Sequence, residues 1–579
     1  MKASPRESRA RFLIPAIVLI VTAAVYLPAL RFGFVCDDAQ QIILNQARFT
    51  WHSIPSYFTT DVWSYIYLLK TNYYRPVFLL WLMLNYQLFG LNTVLWHASA
   101  VAAHLAATLL VYVLALRLTG KRTVAGAAGL LFGVHPVHVE AVAWLSGSTE
   151  TLFAILGLGA ILCHLRWRDL RSRPQRRIWR AAEIGLFALA LFAKETAVVI
   201  PVLLCAWDWL FPISPSTTVR QRIGAAVSTA AGPLLVIFIY VFARYQALGS
   251  FAPATRNWTL PAMIGTWPMV LSFYLRQLLI PFQYSLFYPI APVKQFGLTE
   301  VFLHLLPVLL AAGALIWISR RSAVNTFCAL LLVLPILPVL NLLAFTFDDF
   351  LHDRYVYVPS AGLCILAAIG LEKLIPRVPL RAAALLAAVG GLALVCVQTS
   401  FYWKDNRALY SRAIEVAPES GIASQYLGEE LVEEMRWGDA LHALNQALIS
   451  TPNSYDTHIQ IAKCYFGLGD LDQAISYFQD AISIAPRLPV AYLDLAMVEV
   501  RINLLQQAED HMRLALRFRP VYSPLYERYH YRLARILEME GKWSGALEEY
   551  RAELQERPGA ADAQGGFDRV QQRIATQVP

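Results

Sequence analysis

Apolar residues run together along most of this chain in blocks about twenty residues long, the length a helix needs to cross a bilayer. Short polar or basic links separate the blocks. Windows of that length predict eleven spanning helices, at 12–31, 93–116, 123–142, 149–167, 178–193, 196–212, 224–244, 300–319, 322–343, 356–373 and 382–402. Two further stretches, 75–90 and 265–290, are amphipathic and interrupted, which predicts helices lying at the outer interface. The expected fold is therefore all-α, a polytopic membrane bundle over residues 1–402. The first apolar block follows Lys2, Arg6, Arg9 and Arg11 and lacks a clear small-residue cleavage site, so it reads as an uncleaved anchor.

Beyond residue 402 the pattern changes. Pro418, Pro452, Pro486 and Pro520 are spaced 34 residues apart, and Pro558 follows after 38. Ala413, Ala447, Ala481 and Ala515 stand five residues before the first four prolines, and Ala440, Ala474, Ala508 and Ala546 mark the neighbouring helix. Small residues at helix crossings, with proline ending the second helix at a 34-residue period, are the tetratricopeptide signature. The reading is a tetratricopeptide α-solenoid over 403–560 followed by a frayed polar tail over 561–579, with Trp403 to Ala417 as the second helix of an incomplete first pair. Such arrays stack to bury one continuous core and present a face to a protein or peptide.

Charge changes the picture in two ways. The chain is 57% hydrophobic and 15% charged, with mean hydropathy +0.46; a soluble domain carries about 25% charged residues. The net charge of +9 divides into +16 over residues 1–400 and −7 over 401–579. The basic excess lies between apolar blocks, where it reports topology and not nucleic acid. With the N-terminus cytoplasmic, 21 of the 31 Lys and Arg in residues 1–400 fall in inner loops, the bias that orientation by basic residues produces. An odd number of spans then places the repeats outside the cytoplasm. The seven cysteines form no metal-ligand spacing, and no phosphate-binding loop or nucleophile elbow is present, so no nucleotide cofactor is expected.

Ionisable residues at a membrane edge are functional candidates. Four groups fall on the outer side of the deduced topology: Asp37 and Asp38; His135, His138 and Glu140; Lys194 and Glu195; and Asp348, Asp349, His352, Asp353 and Arg354. The two aspartates suit a general base and a hydrogen-bond or divalent-cation partner, although such a pair alone is more often a helix N-cap or a solvated turn, so the site reading rests on the groups that accompany it. Lys194 and Arg354 suit a phosphate. His135 and His138 are three residues apart, which allows a metal site but fits capping beside Pro136 better.

The chain resembles the transmembrane and tetratricopeptide-repeat-containing O-mannosyltransferase family, part of the C-type integral-membrane glycosyltransferases. The resemblance is carried by Phe34-Val35-Cys36-Asp37-Asp38, Tyr74-Arg75-Pro76, Leu84-Asn85-Tyr86, Trp96-His97, His135 to Val142, Lys194-Glu195 and Arg354 to Gly362, in that order ahead of the repeats. It implies transfer of a sugar, mannose first, from a polyprenyl phosphate to Ser or Thr of an exported protein bound by the repeats. It implies Asp37 or Asp38 as base, Arg354, Lys194 and Arg75 on the donor phosphate, and His135, His138, Glu140, Glu195 and His352 orienting sugar or acceptor. A bacterial inner membrane with periplasmic repeats and an endoplasmic reticulum membrane with lumenal repeats fit equally. The rival expectations are a transferase of the same fold acting on a lipid or envelope glycan, and a non-catalytic membrane-anchored repeat scaffold.

Overall fold

The computed structural model describes residues 5–64, 71–212, 214, 216–249, 258–290, 293, 298–346, 349–519 and 528–577. Asp348 and Pro520 lie outside these. The described residues form helices and the links between them, with no strand. The chain divides into two compact units, the first taking in 1–64 and 70–412, the second 413–579. The division falls inside the helix Asn406–Val416, about ten residues beyond the expected boundary at 402.

The first unit contains α1 (Pro5–Tyr26), α2 (Pro76–Phe89), α3 (Thr93–Thr119), α4 (Arg122–Gly133), α5 (Thr149–Asp169), α6 (Arg173–Ala193), α7 (Ile200–Leu210), α8 (Val219–Leu248), α9 (Leu260–Leu279), α10 (Leu298–Ser319), α11 (Ala323–Val333), α12 (Tyr357–Leu374) and α13 (Val378–Ser400). Among the described residues eight helices are long and apolar enough to cross a membrane. A ninth is α4 continued by Pro136–Ala143 with a bend of 53°. The protein is thus an integral membrane protein with fewer straight spans than the eleven expected, and the differences have local causes. Pro136 breaks the third, because its ring removes the N–H that would continue α4. The expected fifth becomes α6, whose first turns carry Arg173, Arg176, Arg177 and Arg180. The sixth is split between a short 3-10 segment, Glu195–Val199, and the eleven residues of α7.

The two amphipathic stretches form α2 and α9, neither of which passes as a span. α9 begins earlier than expected because Thr259 caps it, accepting from the Ala262 N–H, and it ends just before Pro281.

Close approach between α11 and α12 depends on Gly362. A Cβ there would lie 2.4 Å from the Cys328 carbonyl oxygen and 2.7 Å from the Leu332 nitrogen, both backbone atoms that cannot rotate aside. Gly362→Ala is expected to lower stability by about 1–3 kcal/mol through overpacking, read as a lower Tm in detergent. An unchanged Tm contradicts the packing account.

The second unit holds the end of α14 (Asn406–Val416) and then α15 (Gly421–Glu433), α16 (Trp437–Ser450), α17 (Tyr455–Leu468), α18 (Leu471–Ile484), α19 (Pro489–Arg501), α20 (Leu505–Phe518), α21 (Tyr529–Met539), α22 (Trp543–Glu556) and α23 (Ala561–Gln577). Both alanine sets are fully buried at helix crossings, as the repeat pattern requires. The extra residues before Pro558 come between α20 and α21, where 520–527 lie outside the described residues.

The expected frayed tail over 561–579 is corrected: residues 561–577 form α23. Ala563, Phe567, Val570 and Ile574 recur at helical spacing and pack on the core around Leu537 and Tyr550, while Arg569 pairs with Glu538. The polar majority of this segment is simply the outer face of an amphipathic helix.

Candidate active site

Members of all four outer groups lie in the first unit, and ion pairs join two of the groups, Glu140 with Arg354 and with His352. The turn at 36–38 follows directly on the first span. Cys36 adopts φ +52°, a left-handed conformation that costs a residue with a Cβ about 1–3 kcal/mol. Its N–H donates to Asn406 Oδ1 at 2.8 Å, which helps to hold the turn.

The two aspartates differ in what they touch. Asp38 is fully buried. Its Oδ1 accepts from the Ser146 N–H at 2.8 Å and the Ser146 hydroxyl at 2.6 Å, and its Oδ2 accepts from the Val35 N–H at 3.1 Å. Asp38 therefore staples the turn to the segment ahead of α5. With donors on both oxygens it does not fit a metal-ligand role. Burial pushes its carboxyl up to about 7 against those hydrogen bonds. Asp37 makes only weak contacts, with the Cys36 thiol at 3.7 Å and Gln41 Nε2 at 3.4 Å. Burial pushes the Asp37 carboxyl up to about 6, Asp349 adds to the rise, and Arg354 and His352 oppose it.

Arg354 is the guanidinium that bears on this carboxylate; Arg75 and Lys194 lie with it around Glu150, and all three cations are already paired. Arg354 donates through Nη1 to Glu140 Oε1, and its backbone N–H donates to Glu140 Oε2 at 2.9 Å. Its guanidinium lies 4.8 Å from the Trp144 ring centroid. Arg75 makes a two-point pair with Glu195, at 2.7 and 3.1 Å. Burial raises the Glu195 carboxyl, but the Arg75 guanidinium outweighs it and leaves the group at about 2. Lys194 pairs with Glu150 and is only 2% exposed, whereas Arg354 and Arg75 keep 14% and 15% of their side chains accessible. The two arginines are thus more accessible than Lys194. His352 bridges Asp349 Oδ1 at 3.2 Å and Glu140 Oε1 at 3.5 Å.

The two remaining histidines sit apart from this cluster. His135 Nδ1 accepts from the Val137 N–H, the capping role, and its Nε2 lies 3.2 Å from the Leu278 carbonyl. His138 Nε2 lies 2.8 Å from Ser360 Oγ, and its ring packs with His104, Phe132 and Tyr357. Both are committed to packing, and the structure does not bring them to the cluster. Among the described residues no group of three His, Cys, Asp or Glu side chains is arranged to hold a metal.

Sequence reasoning missed three participants: Ser146, which holds Asp38; Glu150, which neutralises Lys194; and Trp144, whose indole N–H is buried without an acceptor. Glu150 carried a signal, since it is a carboxylate at the start of a predicted span.

The tetratricopeptide-repeat family matches residues 455–488 and 491–561. A protein O-mannosyl-transferase of Caenorhabditis elegans is 27% identical over 441 residues, covering 74% of this chain and 61% of its own length. Protein O-mannosyl-transferase TMTC3 of Mus musculus is 24% identical over 583 residues, covering 88% of this chain and 60% of its own length. This chain is a relative of the transmembrane and tetratricopeptide-repeat protein O-mannosyl-transferases. It spans about three fifths of the length of the curated relatives it matches. Among solved structures, the apo oligosaccharyltransferase of Archaeoglobus fulgidus aligns with TM-score 0.44 at 13% identity, over 72% of this chain and 59% of the other. ArnT of Cupriavidus metallidurans bound to undecaprenyl phosphate aligns with TM-score 0.38 at 18% identity, over 82% and 80%.

Proposed function

We propose that this chain is a membrane glycosyltransferase that moves a sugar, mannose first, from a polyprenyl-phosphate donor to a Ser or Thr hydroxyl of an exported protein. The repeats hold the protein client. The observation that carries this reading is the division of labour between the two aspartates. Asp37 alone keeps a lightly bonded carboxylate, and it lies within electrostatic reach of Arg354. The names of the relatives support the same chemistry.

In this reading Asp37 accepts the proton of the acceptor hydroxyl. The hydroxyl oxygen forms a bond to the anomeric carbon as the bond from that carbon to the phosphate oxygen breaks. The bonding pair leaves with the lipid phosphate, and the configuration at carbon inverts. Arg354 and Arg75 lend their guanidinium N–H groups to the departing phosphate. Glu140 and Glu195 hold those cations in place, His352 stands between Glu140 and Asp349, and the Trp144 N–H offers a donor to a sugar hydroxyl. The clustered end of the bundle faces away from the cytoplasm, toward the periplasm of a bacterium or the lumen of the endoplasmic reticulum.

The pH dependence tests the base. Asp37 works only when ionised, and its carboxyl sits at about 6. Transfer at low substrate is therefore expected to fall as pH drops through about 6, approaching tenfold per pH unit below it. A profile flat down to pH 4.5 contradicts Asp37 as the base.

A further inference from the structure

α5 and α6 form a hairpin whose two ends differ sharply in character. Glu150 and Lys194 pair at one end. Trp167 lies 17 residues along α5 from Glu150, about 25 Å at the helical rise. Arg173 begins α6, 21 residues before Lys194, about 30 Å away. The hydrocarbon core of a bilayer is about 30 Å thick, so the far end of the hairpin reaches the headgroup level of the opposite leaflet.

That end forms an open hollow on the surface. A cavity of about 460 Å³ is lined by Trp167, Arg173, Arg176, Arg177, Arg180 and Ile184, with no carboxylate in its wall. The guanidinium carbons of Arg176 and Arg180 lie 5.0 and 5.2 Å from the Trp167 ring centroid. Arg180 is held from behind. It pairs with Glu183 and donates to the carbonyls of Ser228 at 3.2 Å and Thr229 at 2.7 Å. Glu183 is fixed in turn by His164, which bridges to Asp208, and Asp208 accepts from the Thr229 hydroxyl at 2.6 Å. This network is buried. It positions Arg180 while leaving the rest of the cavity's positive charge uncompensated: among the described residues Arg173, Arg176 and Arg177 have no ion-pair partner. Three arginines at the start of α6 also oppose the helix dipole, an arrangement that a bound anion relieves.

We infer that this pocket binds the phosphate of an anionic glycerophospholipid in the leaflet opposite the candidate active site. A lipid, in preference to a free anion, is indicated by where the arginines sit and what accompanies them: they lie at headgroup depth, and Trp167 and Ile184 add apolar surface to the same wall. Basic pockets between helices at this membrane level recognise lipid headgroups by the same charge complementarity.

The test uses the full chain in nanodiscs of equimolar phosphatidylglycerol and phosphatidylcholine, released and weighed by native mass spectrometry. Wild type is expected to retain phosphatidylglycerol in preference. R173Q/R177Q should retain about tenfold less. R166Q/R171Q, which removes equal charge from the same loop outside the pocket wall, should retain it as wild type does. If the double variant does not fold, R173Q and R177Q are read singly, each with a partial loss. Equal retention of the two lipids by wild type overturns the inference. So does equal loss in R166Q/R171Q, which marks a diffuse basic surface, or displacement by millimolar inorganic phosphate, which marks a free-anion site.

Discussion

Asp37→Asn is expected to reduce sugar transfer by about 10²–10⁴-fold, the range for loss of a positioned general base, with little change in thermal stability. The asparagine is nearly isosteric, and the native carboxylate makes only two weak contacts, so little holding the fold together is removed. Asp38→Asn is expected to show the reverse weighting. One Asp38 oxygen accepts two donors from Ser146, and an amide nitrogen placed there would face N–H and O–H groups with the wrong polarity. If the amide turns instead, its NH₂ meets the Val35 N–H. Either way a buried donor is left unmatched, at a cost of about 1–3 kcal/mol. Ser146→Ala should reproduce part of that loss, because the backbone N–H bond remains. Circular dichroism melts and initial rates measured on the same preparations separate the two roles. Equal loss of rate and of Tm in both variants contradicts the division of labour.

Glu140→Ala is expected to be more damaging to the fold than either. The Glu140 carboxylate is 2% exposed and receives the Arg354 side chain, the Arg354 backbone N–H and His352. Removing it strands a guanidinium that is itself only 14% exposed. Breaking one side of a buried pair in this way costs about 3–5 kcal/mol. It also unties the segment 353–356 that leads into α12 from the bend after α4, two elements more than 200 residues apart in sequence. Glu140→Gln keeps the shape and one acceptor oxygen and is expected to recover part of the stability but little transfer. A Glu140→Ala variant with wild-type Tm contradicts the pairing.

Much of this was legible in the sequence because the signals were periodic or expensive. The alanines and prolines of the repeats recur in two registers, and each alanine proved to be a buried crossing. Charged residues at the ends of apolar blocks stood out, and Glu140, His352 and Arg354 did meet in space. What stayed hidden depended on partners far along the chain. Nothing local distinguishes Asp37 from Asp38; the distinction lies in Ser146, 108 residues away. Nothing beside Lys194 reveals that it is neutralised by Glu150 and not by its neighbour Glu195, which Arg75 takes. His135 and His138 drew attention as polar residues near a membrane, yet capping and aromatic packing account for them. The final helix was obscured by its polar outer face, which hid the stripe of Ala563, Phe567, Val570 and Ile574.

The most direct test of the central claim is a transfer assay with purified full-length protein, labelled polyprenyl-phosphate mannose and a Ser/Thr-rich peptide. Labelled peptide should appear with wild type, with inverted configuration at the anomeric carbon, and not with Asp37→Asn of equal folded fraction. No transfer by folded wild type from any polyprenyl-phosphate sugar, or undiminished transfer by Asp37→Asn, contradicts the account.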